Sequence, residues 1–368
     1  MDKTEILFFV ADLGGGGAEN VLVNLVNNLD PEKYEIEVRT IFNSGVNKSR
    51  LLPHIKHSSV FSGKAFKGYT KLLKLGSPKL LYKLFLRKSK QPIQIAFMHH
   101  IPTRILAGAP RDKKTFAWVH GSNISTSVYR NYGEFQKCYQ SFDGVAFVAQ
   151  TAENSFLERH SFPIKSRVVY NLIDNKRVLN SMDEPIDIKI DRSKVNLCSV
   201  GRLSGEKGFL RLIEALGKIA QSGIRNWHLY LLGEGGEKEN LIAKSKELGL
   251  ESNISFLGYQ TNPYKYLSRM DLFVCSSFTE AFSTAVSEAI ILGIPVLTTE
   301  CSGMREIIGD SDAGIIVENS DEGLLNGLKR LLSNPESIKE MSSAAKERSS
   351  FFSTEKAVRY FEEFIGTA

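Results

Sequence analysis

Short apolar runs rich in β-branched residues alternate with helical patterns along the chain, and the alternation occurs in two successive series. The strands predicted for the first series are 6–11, 34–42, 94–98, 115–119, 144–148 and 168–170. Those predicted for the second series are 195–200, 228–232, 254–257, 272–275, 295–298 and 314–317. Alternating β and α segments are typical of parallel sheets covered by helices. The sequence therefore predicts an α/β protein with two doubly wound, Rossmann-like domains that face each other across a cleft.

The polar segment 174–194 separates the two series and is the predicted linker. We predict an N-terminal domain over 1–172, a C-terminal domain over 173–350, and a C-terminal helix over 351–368 that returns to the N-terminal domain. A length of 368 residues suffices for two such domains. Ligands of open α/β sheets bind beyond the carboxyl ends of the strands, so the loops that follow strands should carry the chemistry.

The charge of the chain is divided unequally between its halves. The formal net charge is only +6, but residues 1–172 carry 24 basic and 13 acidic side chains, a net +11. The remaining residues carry 23 basic and 28 acidic side chains, a net −5. No acidic residue lies between Glu37 and Asp112. Such a one-signed stretch favours an anionic partner for the N-terminal domain.

The cysteines and the lengths of the apolar runs indicate the cellular compartment of the protein. Cys138, Cys198, Cys275 and Cys301 form no CxxC pair, which predicts buried, reduced thiols in a cytosolic protein. The apolar run 6–11 is too short for a secretory signal, and no run approaches the roughly 20 apolar residues of a spanning helix. We expect a cytoplasmic protein that contacts a membrane only from its surface.

Four glycines, Gly14 to Gly17, follow the first strand and precede a helix. Glycine lets the backbone approach a ligand closely, and the free N–H groups of a helix start suit phosphate. The spacing is not GxGxxG, because the third glycine of that pattern would fall on Glu19, so a dinucleotide is disfavoured. A tight turn without a ligand remains the alternative interpretation.

Two further constellations follow strands of the second series. Arg202 and Lys207 lie in one strand-to-helix loop, where they could converge on an anion or form an ordinary solvated loop. Glu280 precedes a helix that Ser283 or Thr284 is predicted to begin and Gly293 to end. Glu288 lies within that helix among apolar residues, where a carboxylate needs hydrogen-bonding partners.

At these residues the chain resembles a known family. Glu280 and Glu288 match the E-x7-E motif of retaining GT-B glycosyltransferases, and the whole chain resembles glycosyltransferase family 4, in particular enzymes that build bacterial capsule, exopolysaccharide or lipid-linked oligosaccharide. The other segments that carry the resemblance are Gly14 to Glu19, Val119-His120-Gly121, Asn171 to Asp174, Gly201 to Gly208, Leu232 to Gly235 and Phe256 to Gly258. Ala281 and Ser283 stand where the family usually has glycines, which leaves the donor sugar open.

The resemblance implies roles for individual residues. Arg202 and Lys207 would bind the diphosphate of a nucleotide-sugar, Glu288 the ribose, and Glu280 the donor sugar, which His120 would approach from the acceptor side. The catalytic set implied is His120, Glu280, Arg202 and Lys207. The donor-binding set implied is Gly16, Gly17, Arg202, Lys207, Gly233, Gly258, Glu280, Phe282, Ser283, Thr284 and Glu288. A packed loop histidine is the alternative for His120.

The resemblance also implies the reaction. Fixed cations and a helix dipole would stabilise charge that develops on the departing diphosphate, so neither a metal nor another cofactor is expected. The Asp310-Ser311-Asp312 triplet has the spacing of a metal-binding DxD, but its polar surroundings predict a solvated turn. The expected activity is transfer from a nucleotide-sugar, a UDP-sugar in the first place, to a lipid-linked saccharide. An epimerase or phosphorylase on the same scaffold, or a non-catalytic partner subunit, is the alternative.

The run 64–90 holds nine basic and no acidic residues, interleaved with leucines and aromatic residues. Gly76-Ser77-Pro78 should divide it into two helices, with Lys79, Lys83 and Arg87 on one face of the second. A basic amphipathic helix is typical of binding to an anionic membrane surface, and a solvated basic face is the alternative. No nucleic-acid motif accompanies the charge. The predicted membrane-binding residues are Lys71, Lys74, Lys79, Lys83, Arg87 and Lys88.

Overall fold

A computed structural model describes residues 3–64, 68–121 and 124–367 of the chain. The chain divides into two compact units. The first comprises Met1–Ile173 together with Thr354–Ala368, and the second comprises Asp174–Ser353. Each unit is built around one wholly parallel sheet, so the α/β class and the two Rossmann-like folds predicted from the sequence are confirmed.

The first unit contains a seven-stranded sheet in the order β3-β2-β1-β4-β5-β6-β7. Its strands are β1 (Thr4–Val10), β2 (Tyr34–Phe42), β3 (Lys56–Phe61), β4 (Ile93–Ala96), β5 (Lys114–Val119), β6 (Gly144–Phe147) and β7 (Ser166–Val168). Strand β1 lies at the centre, and residues 6–10 have no exposed surface, as expected for a strand covered on both faces. The strand order reverses between β1 and β4, which makes their carboxyl ends the topological switch point of this sheet.

Seven α-helices accompany this sheet in the described part of the first unit. They are α1 (Gly17–Asn28), α2 (Tyr69–Leu75), α3 (Pro78–Phe85), α4 (Ile101–Leu106), α5 (Tyr132–Gln140), α6 (Gln150–Arg159) and the C-terminal helix (Thr354–Thr367). The C-terminal helix packs Phe361 on Phe8 and Phe364 on Phe116, with ring centroids 5.9 and 4.9 Å apart. These contacts attach the last residues of the chain to the first sheet.

The second unit contains a six-stranded sheet in the order β10-β9-β8-β11-β12-β13. Its strands are β8 (Val195–Val200), β9 (Trp227–Leu232), β10 (Ile254–Gly258), β11 (Leu272–Cys275), β12 (Val296–Thr299) and β13 (Gly314–Val317). Its helices are α7 (Asn175–Ser181), α8 (Phe209–Gln221), α9 (Lys238–Glu247), α10 (Tyr264–Leu267), α11 (Thr284–Ile291), α12 (Met304–Ile308), α13 (Asp321–Ser333) and α14 (Pro335–Arg348). Here the switch point lies between β8 and β11.

Three sequence predictions differ from the structure. Strand β3 was not predicted, because its residues Lys56-His57-Ser58-Ser59 lack the apolar pattern of a buried strand, and β3 is an edge strand paired only with β2. Strand β7 lies at Ser166–Val168 rather than 168–170. The prediction of a linker over 174–194 is wrong in its first part, because Asp174 caps helix α7, which packs on α10 and α11 of the second unit.

The basic run divides as predicted, since Gly76 ends α2 and Ser77 caps α3, with Pro78 in its first turn. Helix α3 ends at Phe85, so Arg87 lies beyond it and does not continue the helical face of Lys79 and Lys83. The four cysteines are free thiols, and Cys138, Cys198 and Cys275 are buried as predicted. Within the described ranges no helix combines the length and the apolar character needed to cross a bilayer.

Candidate active site

The switch point of the second sheet is formed by the loop after β8 and the loop after β11. The first loop ends in a single 3-10 turn at Gly205–Lys207, followed by Gly208 with a φ of 64°. A Cβ at Gly208 would overlap the carbonyl oxygen of Ser276, so glycine is required where the two loops meet. The Ser276 hydroxyl donates to the carbonyl of Lys207 at 3.0 Å. The two loops are therefore held together by close backbone packing at Gly208 and by the side-chain hydrogen bond of Ser276.

Lys207 and Glu280 meet at this point. The Nζ atom of Lys207 lies 2.7 Å from Oε1 of Glu280, and the Ser277 hydroxyl donates to the same oxygen at 2.7 Å. Burial lowers the pKa of Lys207, but the charge and hydrogen bond of Glu280 outweigh that effect and raise the pKa above its ordinary value. The Lys207 side chain is 27% exposed, so the ammonium stays charged and remains accessible to an anion.

Arg202, the second predicted cation, is placed differently. It follows β8 directly, its side chain is exposed, and its carbonyl accepts the amide of Ser204 at 2.9 Å. The structure thus brings Lys207 and Glu280 together, whereas Arg202 extends toward solvent from the same loop.

Helix α11 begins as the sequence predicted. The Ser283 hydroxyl accepts the amide of Val286 at 3.4 Å, which makes Ser283 the N-cap, and Thr284 is the first helical residue. Phe282 is buried beneath this turn. At the other end Gly293 adopts a φ of 73° and donates to the carbonyl of Ile290. The amides of the first turn and the positive end of the helix dipole therefore lie at one fixed position next to Glu280 in the chain.

Glu288 lies in the middle of α11 and has the partner that its apolar surroundings require. The hydroxyl of Tyr264, a buried residue of α10, donates to Oε1 of Glu288 at 2.9 Å. The guanidinium of Arg177 on α7 stands over the Tyr264 ring, 5.5 Å from its centroid. Sequence reasoning missed both residues, because the contact joins three helices that are distant in the chain. Tyr264 fixes the carboxylate in one orientation.

The glycines predicted to contact the donor fall into two groups. Gly233 has a φ of 144°, and a Cβ there would overlap the carbonyl oxygen of Gly201, so backbone packing alone requires glycine. Gly258 has a φ of 68°, which also favours glycine. Gly16 and Gly17 have no positive φ, and a Cβ at Gly16 would meet only the carboxylate of Glu19. Packing and backbone conformation therefore explain Gly233 and Gly258, whereas close approach of a ligand remains an explanation for Gly16 and Gly17.

His120 follows β5 in the first unit. Its ring lies 4.9 Å from that of Phe97 and stacks on Trp118 at 6.3 Å. Burial lowers the pKa of His120 to about 3, against the opposing effect of a hydrogen bond to the backbone of Phe97. His120 is therefore a neutral imidazole at physiological pH, which can form hydrogen bonds but carries no charge.

Two histidines that sequence reasoning did not single out lie beside it. His99 and His100 follow β4, the neighbour of β5 in the sheet, and their ring centroids are 4.2 Å apart. The His-His dipeptide after an apolar run was visible in the sequence. Only the strand order, however, shows that it stands at the switch point of the first sheet, opposite the glycine-rich loop.

Among the described residues, no group of three or more His, Cys, Asp or Glu side chains is arranged to hold a metal ion. Asp310 and Asp312 are exposed, and Ser311 between them donates to the carbonyl of Ile308 at 2.6 Å. This triplet is a solvated turn, as the sequence predicted.

Comparison with known proteins gives a consistent result. Residues 183–348 match the family described as Glycosyl transferases group 1. The chain is 28% identical over 363 residues to the N-acetylgalactosamine-N,N'-diacetylbacillosaminyl-diphospho-undecaprenol 4-alpha-N-acetylgalactosaminyltransferase of Campylobacter jejuni, covering 95% of this chain and 96% of the relative. It is 25% identical over 312 residues to the lipopolysaccharide 1,6-galactosyltransferase of Salmonella typhimurium, covering 80% of each. HepE of Anabaena, solved in complex with UDP, has the same fold with a TM-score of 0.77 at 17% identity, covering 99% of this chain and 100% of HepE.

The two doubly wound parallel sheets are those of the GT-B fold, which HepE shares, and the Lys207–Glu280 pair lies at the switch point of the second sheet. The match of residues 183–348 to Glycosyl transferases group 1, which spans less than half of the chain, and the similarity to the two sequence relatives support a glycosyltransferase and agree with the resemblance that the motifs indicated.

Proposed function

We propose that this glycosyltransferase moves a sugar from a UDP-sugar to a lipid-linked saccharide during assembly of a bacterial surface glycan, with retention of anomeric configuration and without a metal. The observation that carries the proposal is the Lys207–Glu280 pair beside the start of α11. The two sequence relatives support the choice of acceptor, since one acts on a diphospho-undecaprenol glycan and the other on lipopolysaccharide. The UDP bound to HepE supports the choice of nucleotide.

The proposed donor site uses three kinds of group. Lys207 and the amides at the start of α11 hold the diphosphate, and Arg202 turns from solvent onto it as a second cation. Glu288, held by Tyr264, accepts hydrogen bonds from the ribose hydroxyls. Glu280 accepts a hydrogen bond from a hydroxyl of the donor sugar, while Lys207 and Ser277 keep its carboxylate oriented.

The reaction then needs no protein nucleophile. The bond from the anomeric carbon to the diphosphate oxygen breaks, and the acceptor oxygen bonds to the same face of that carbon. The departing diphosphate takes the proton of the acceptor hydroxyl, so the products are the extended glycan and UDP. Lys207 and the helix dipole stabilise the negative charge that grows on the leaving group, which lowers the barrier more than it stabilises the bound substrate. Neutral His120 donates its N–H to the backbone of Phe97, so its Nε2 accepts a hydrogen bond from a hydroxyl of the donor sugar.

Calorimetric titration with UDP, in buffer containing EDTA, tests the site. The unaltered protein should bind UDP, and Glu288→Ala should bind it at least about tenfold more weakly, because hydrogen bonds to a charged carboxylate contribute about 1.5–3 kcal/mol. Tyr264→Phe should weaken binding by a smaller factor of about 3, since the carboxylate remains and loses only the hydrogen bond from Tyr264. Titration with UDP-glucose, UDP-galactose and their N-acetyl forms then selects the donor.

Glu336→Ala is the matched control, because Glu336 is an exposed carboxylate of the same unit and pairs with exposed Lys339. It should bind UDP as the unaltered protein does. Binding of GDP in place of UDP would overturn the nucleotide assignment, and loss of binding in EDTA would overturn metal independence. If Glu288→Ala bound UDP as tightly as the parent, the proposed site itself would be wrong.

We further propose that helices α2 and α3 bind an anionic membrane surface, where a lipid-linked acceptor lies. Three leucines of this pair are unusually exposed: Leu75 by 78%, Leu80 by 50% and Leu84 by 66%. Lys71, Lys79, Lys83, Arg87 and Lys88 are exposed around them, whereas Lys74 is partly buried and donates to the carbonyl of Ser127. Residues 65–67 of the basic run lie outside the described residues. Exposed leucines bordered by lysines suit insertion into an anionic bilayer.

The α2–α3 pair is held firmly against the first unit. Arg104, which has no exposed surface, donates to the carbonyls of Leu73 and Gly76 at 2.8 and 2.7 Å. Arg130 donates to the carbonyl of Leu75 at 3.0 Å. These bonds fix the turn between the helices, so the leucines project from a rigid support rather than from a loose segment.

Sedimentation with vesicles tests this surface. Vesicles containing phosphatidylglycerol should carry the protein down at low salt and release it at high salt, because exposed charges are screened. Leu75→Ser/Leu80→Ser/Leu84→Ser should weaken binding at low salt by about tenfold or more, since each leucine contributes about 1 kcal/mol even when partly inserted. Leu157→Ser, at a 39% exposed leucine of α6, is the control. Equal binding to neutral phosphatidylcholine vesicles would overturn the electrostatic part, and unchanged binding of the triple variant would overturn the leucine part.

A further inference from the structure

The backbone at His100 is strained. His100 has a φ of 76° and a ψ of −122°, and within the described part of the chain no other residue except glycine has a positive φ. A side chain at such a position costs free energy that glycine would avoid. His100 is also the last residue before α4, where several smaller residues would suit the turn. Folding alone does not account for a histidine here.

The strained residue belongs to a group of three imidazoles. His99 and His100 follow β4, with ring centroids 4.2 Å apart, and His120 follows the adjacent strand β5. A Cβ at Gly121 would lie only 3.5 Å from Cε1 of His99, so the two strand ends are in close contact. Three buried ring nitrogens have no hydrogen-bond partner among the described residues: Nδ1 of His99, Nδ1 of His100 and Nε2 of His120.

The position of this group in the sheet is that of a ligand site. In the second sheet, the loops at the switch point carry Lys207 and Glu280. In the first sheet, the equivalent loops are Gly14 to Gly17 after β1 and Met98 to His100 after β4. Ligands of open α/β sheets bind at this crevice. The three histidines therefore line the place where a ligand of the first unit should lie.

The chemistry of the group favours hydroxyls over phosphate. Burial lowers the pKa of His99 to about 3, as it does for His120, and also lowers the pKa of His100. Neutral imidazoles do not compensate the charge of a diphosphate, but each has one nitrogen that accepts and one that donates a hydrogen bond. His100 already uses one nitrogen on the backbone of Ser125, which leaves Nδ1 for a ligand.

We propose that His100 is a positioning residue for the acceptor, whose hydroxyl donates a hydrogen bond to Nδ1 of His100 at the β1–β4 switch point, with His99 supporting the ring. This inference rests on the proposed transfer to a saccharide acceptor. The strained backbone aims the imidazole at the acceptor oxygen, and the proton stays on that oxygen until the diphosphate takes it.

His100→Gly separates strain from function, because glycine accepts the backbone conformation and removes the imidazole. Its thermal unfolding midpoint should equal or exceed that of the parent. UDP binding and the slow hydrolysis of the donor in the absence of acceptor should stay within about twofold. The amount of acceptor giving half the maximal transfer rate should rise about tenfold, the effect of one lost hydrogen bond. Asparagine tolerates positive φ and retains an acceptor atom. The amount of acceptor giving half the maximal rate for His100→Asn should therefore lie between those for the parent and for His100→Gly.

The acceptor probe is a chloroform–methanol extract of the cells from which the sequence comes, which contains the natural lipid-linked acceptor. The readout is transfer of radiolabelled sugar from the UDP-sugar selected by titration into the lipid fraction. His54→Gly, at an exposed histidine of the same unit, is the control and should behave as the parent.

Two outcomes would overturn the inference while leaving the proposed function intact. One is an unchanged half-saturating amount of extract for His100→Gly. The other is a lower unfolding midpoint together with equally weakened UDP binding and transfer, which would mark His100 as structural. Failure of the parent to bind UDP or to label the extract would instead reject the proposed function, and the inference with it.

Discussion

Lys207→Ala is expected to lower kcat/KM for sugar transfer by about 10³-fold, which corresponds to about 4 kcal/mol of lost transition-state stabilisation. The physical reason for this large effect is that the ammonium of Lys207 has a fixed position. Lys207 is the cation that the two loops of the second switch point fix in place, and its charge is held by Glu280 at 2.7 Å. Removing it leaves the growing charge of the diphosphate to the helix dipole and to exposed Arg202. The kinetics of transfer with the selected UDP-sugar measure the effect.

The matched control for Lys207→Ala is Lys238→Ala. Lys238 also pairs with a glutamate at 2.7 Å, but the side chains of Lys238 and Glu234 are 34% and 48% exposed, so this ion pair lies at the surface. It should retain at least half the parent activity. Lys207→Arg restores the charge without the same geometry, so it should recover only part of the rate. A loss below about tenfold for Lys207→Ala would remove this residue from the leaving-group role.

Arg104→Ala is expected to lower the free energy of unfolding by about 3–5 kcal/mol, the usual result of removing one partner of a buried ion pair. The guanidinium of Arg104 makes two hydrogen bonds to Glu134, at 3.1 and 2.9 Å, and donates to three carbonyls of the α2–α3 turn. Alanine would leave these acceptors buried without their donor. Chemical denaturation with urea, monitored by circular dichroism, measures the loss.

This stabilisation should also depend on pH. Burial raises the pKa of Glu134, but the hydrogen bonds and charge of Arg104 outweigh it and hold that pKa below its ordinary value. A carboxyl whose pKa is lowered by folding stabilises the protein above its unfolded pKa, and that contribution is lost as the pH falls through the folded value. The difference in stability between parent and Arg104→Ala should therefore be largest at neutral pH and shrink in acid.

Arg130→Ala is the comparison for Arg104→Ala, because Arg130 also bonds to the α2–α3 turn and contacts the same glutamate at 3.8 Å, but from a 45% exposed side chain. It should cost about 1 kcal/mol or less. A similarly small loss for Arg104→Ala would contradict the view that Arg104 anchors the α2–α3 turn. Arg104→Ala should also weaken sedimentation with anionic vesicles, because the exposed leucines of α2 and α3 would lose their rigid support.

The sequence predicts a positively charged N-terminal half, but only the structure shows which of its basic residues are exposed. The segment between Glu37 and Asp112, which has no acidic residue, predicted an anionic partner, but some of its basic residues are paired or buried and others are exposed. Arg39 pairs with Glu37 at 2.7 Å and Arg104 is wholly buried, so neither contributes to a basic surface. The exposed lysines of α2 and α3 remain, and the leucines between them are visible as a surface feature only in three dimensions. A count of charges cannot separate these cases, because it does not record burial.

Local patterns determined much of this protein. The periodicity of apolar residues predicted the strands of both sheets except edge strand β3, whose polar residues have one neighbour instead of two. The Ser283 cap and the Gly293 stop predicted α11, and the motifs around Glu280 and Glu288 predicted the family, because capping and turn formation depend on residues a few positions apart.

Tertiary structure alone decided which of these residues act together. Strand order is a non-local property, and it placed Lys207 beside Glu280, while Arg202 from the same loop extends into solvent. Packing between distant helices supplied Tyr264 as the partner of Glu288. Only the strand order shows that the His-His dipeptide lies at the β1–β4 switch point, and only the backbone angles show that His100 is strained. The reason in each case is that the contacts join segments far apart in the chain, whose pairing is set by the fold and not by neighbouring residues.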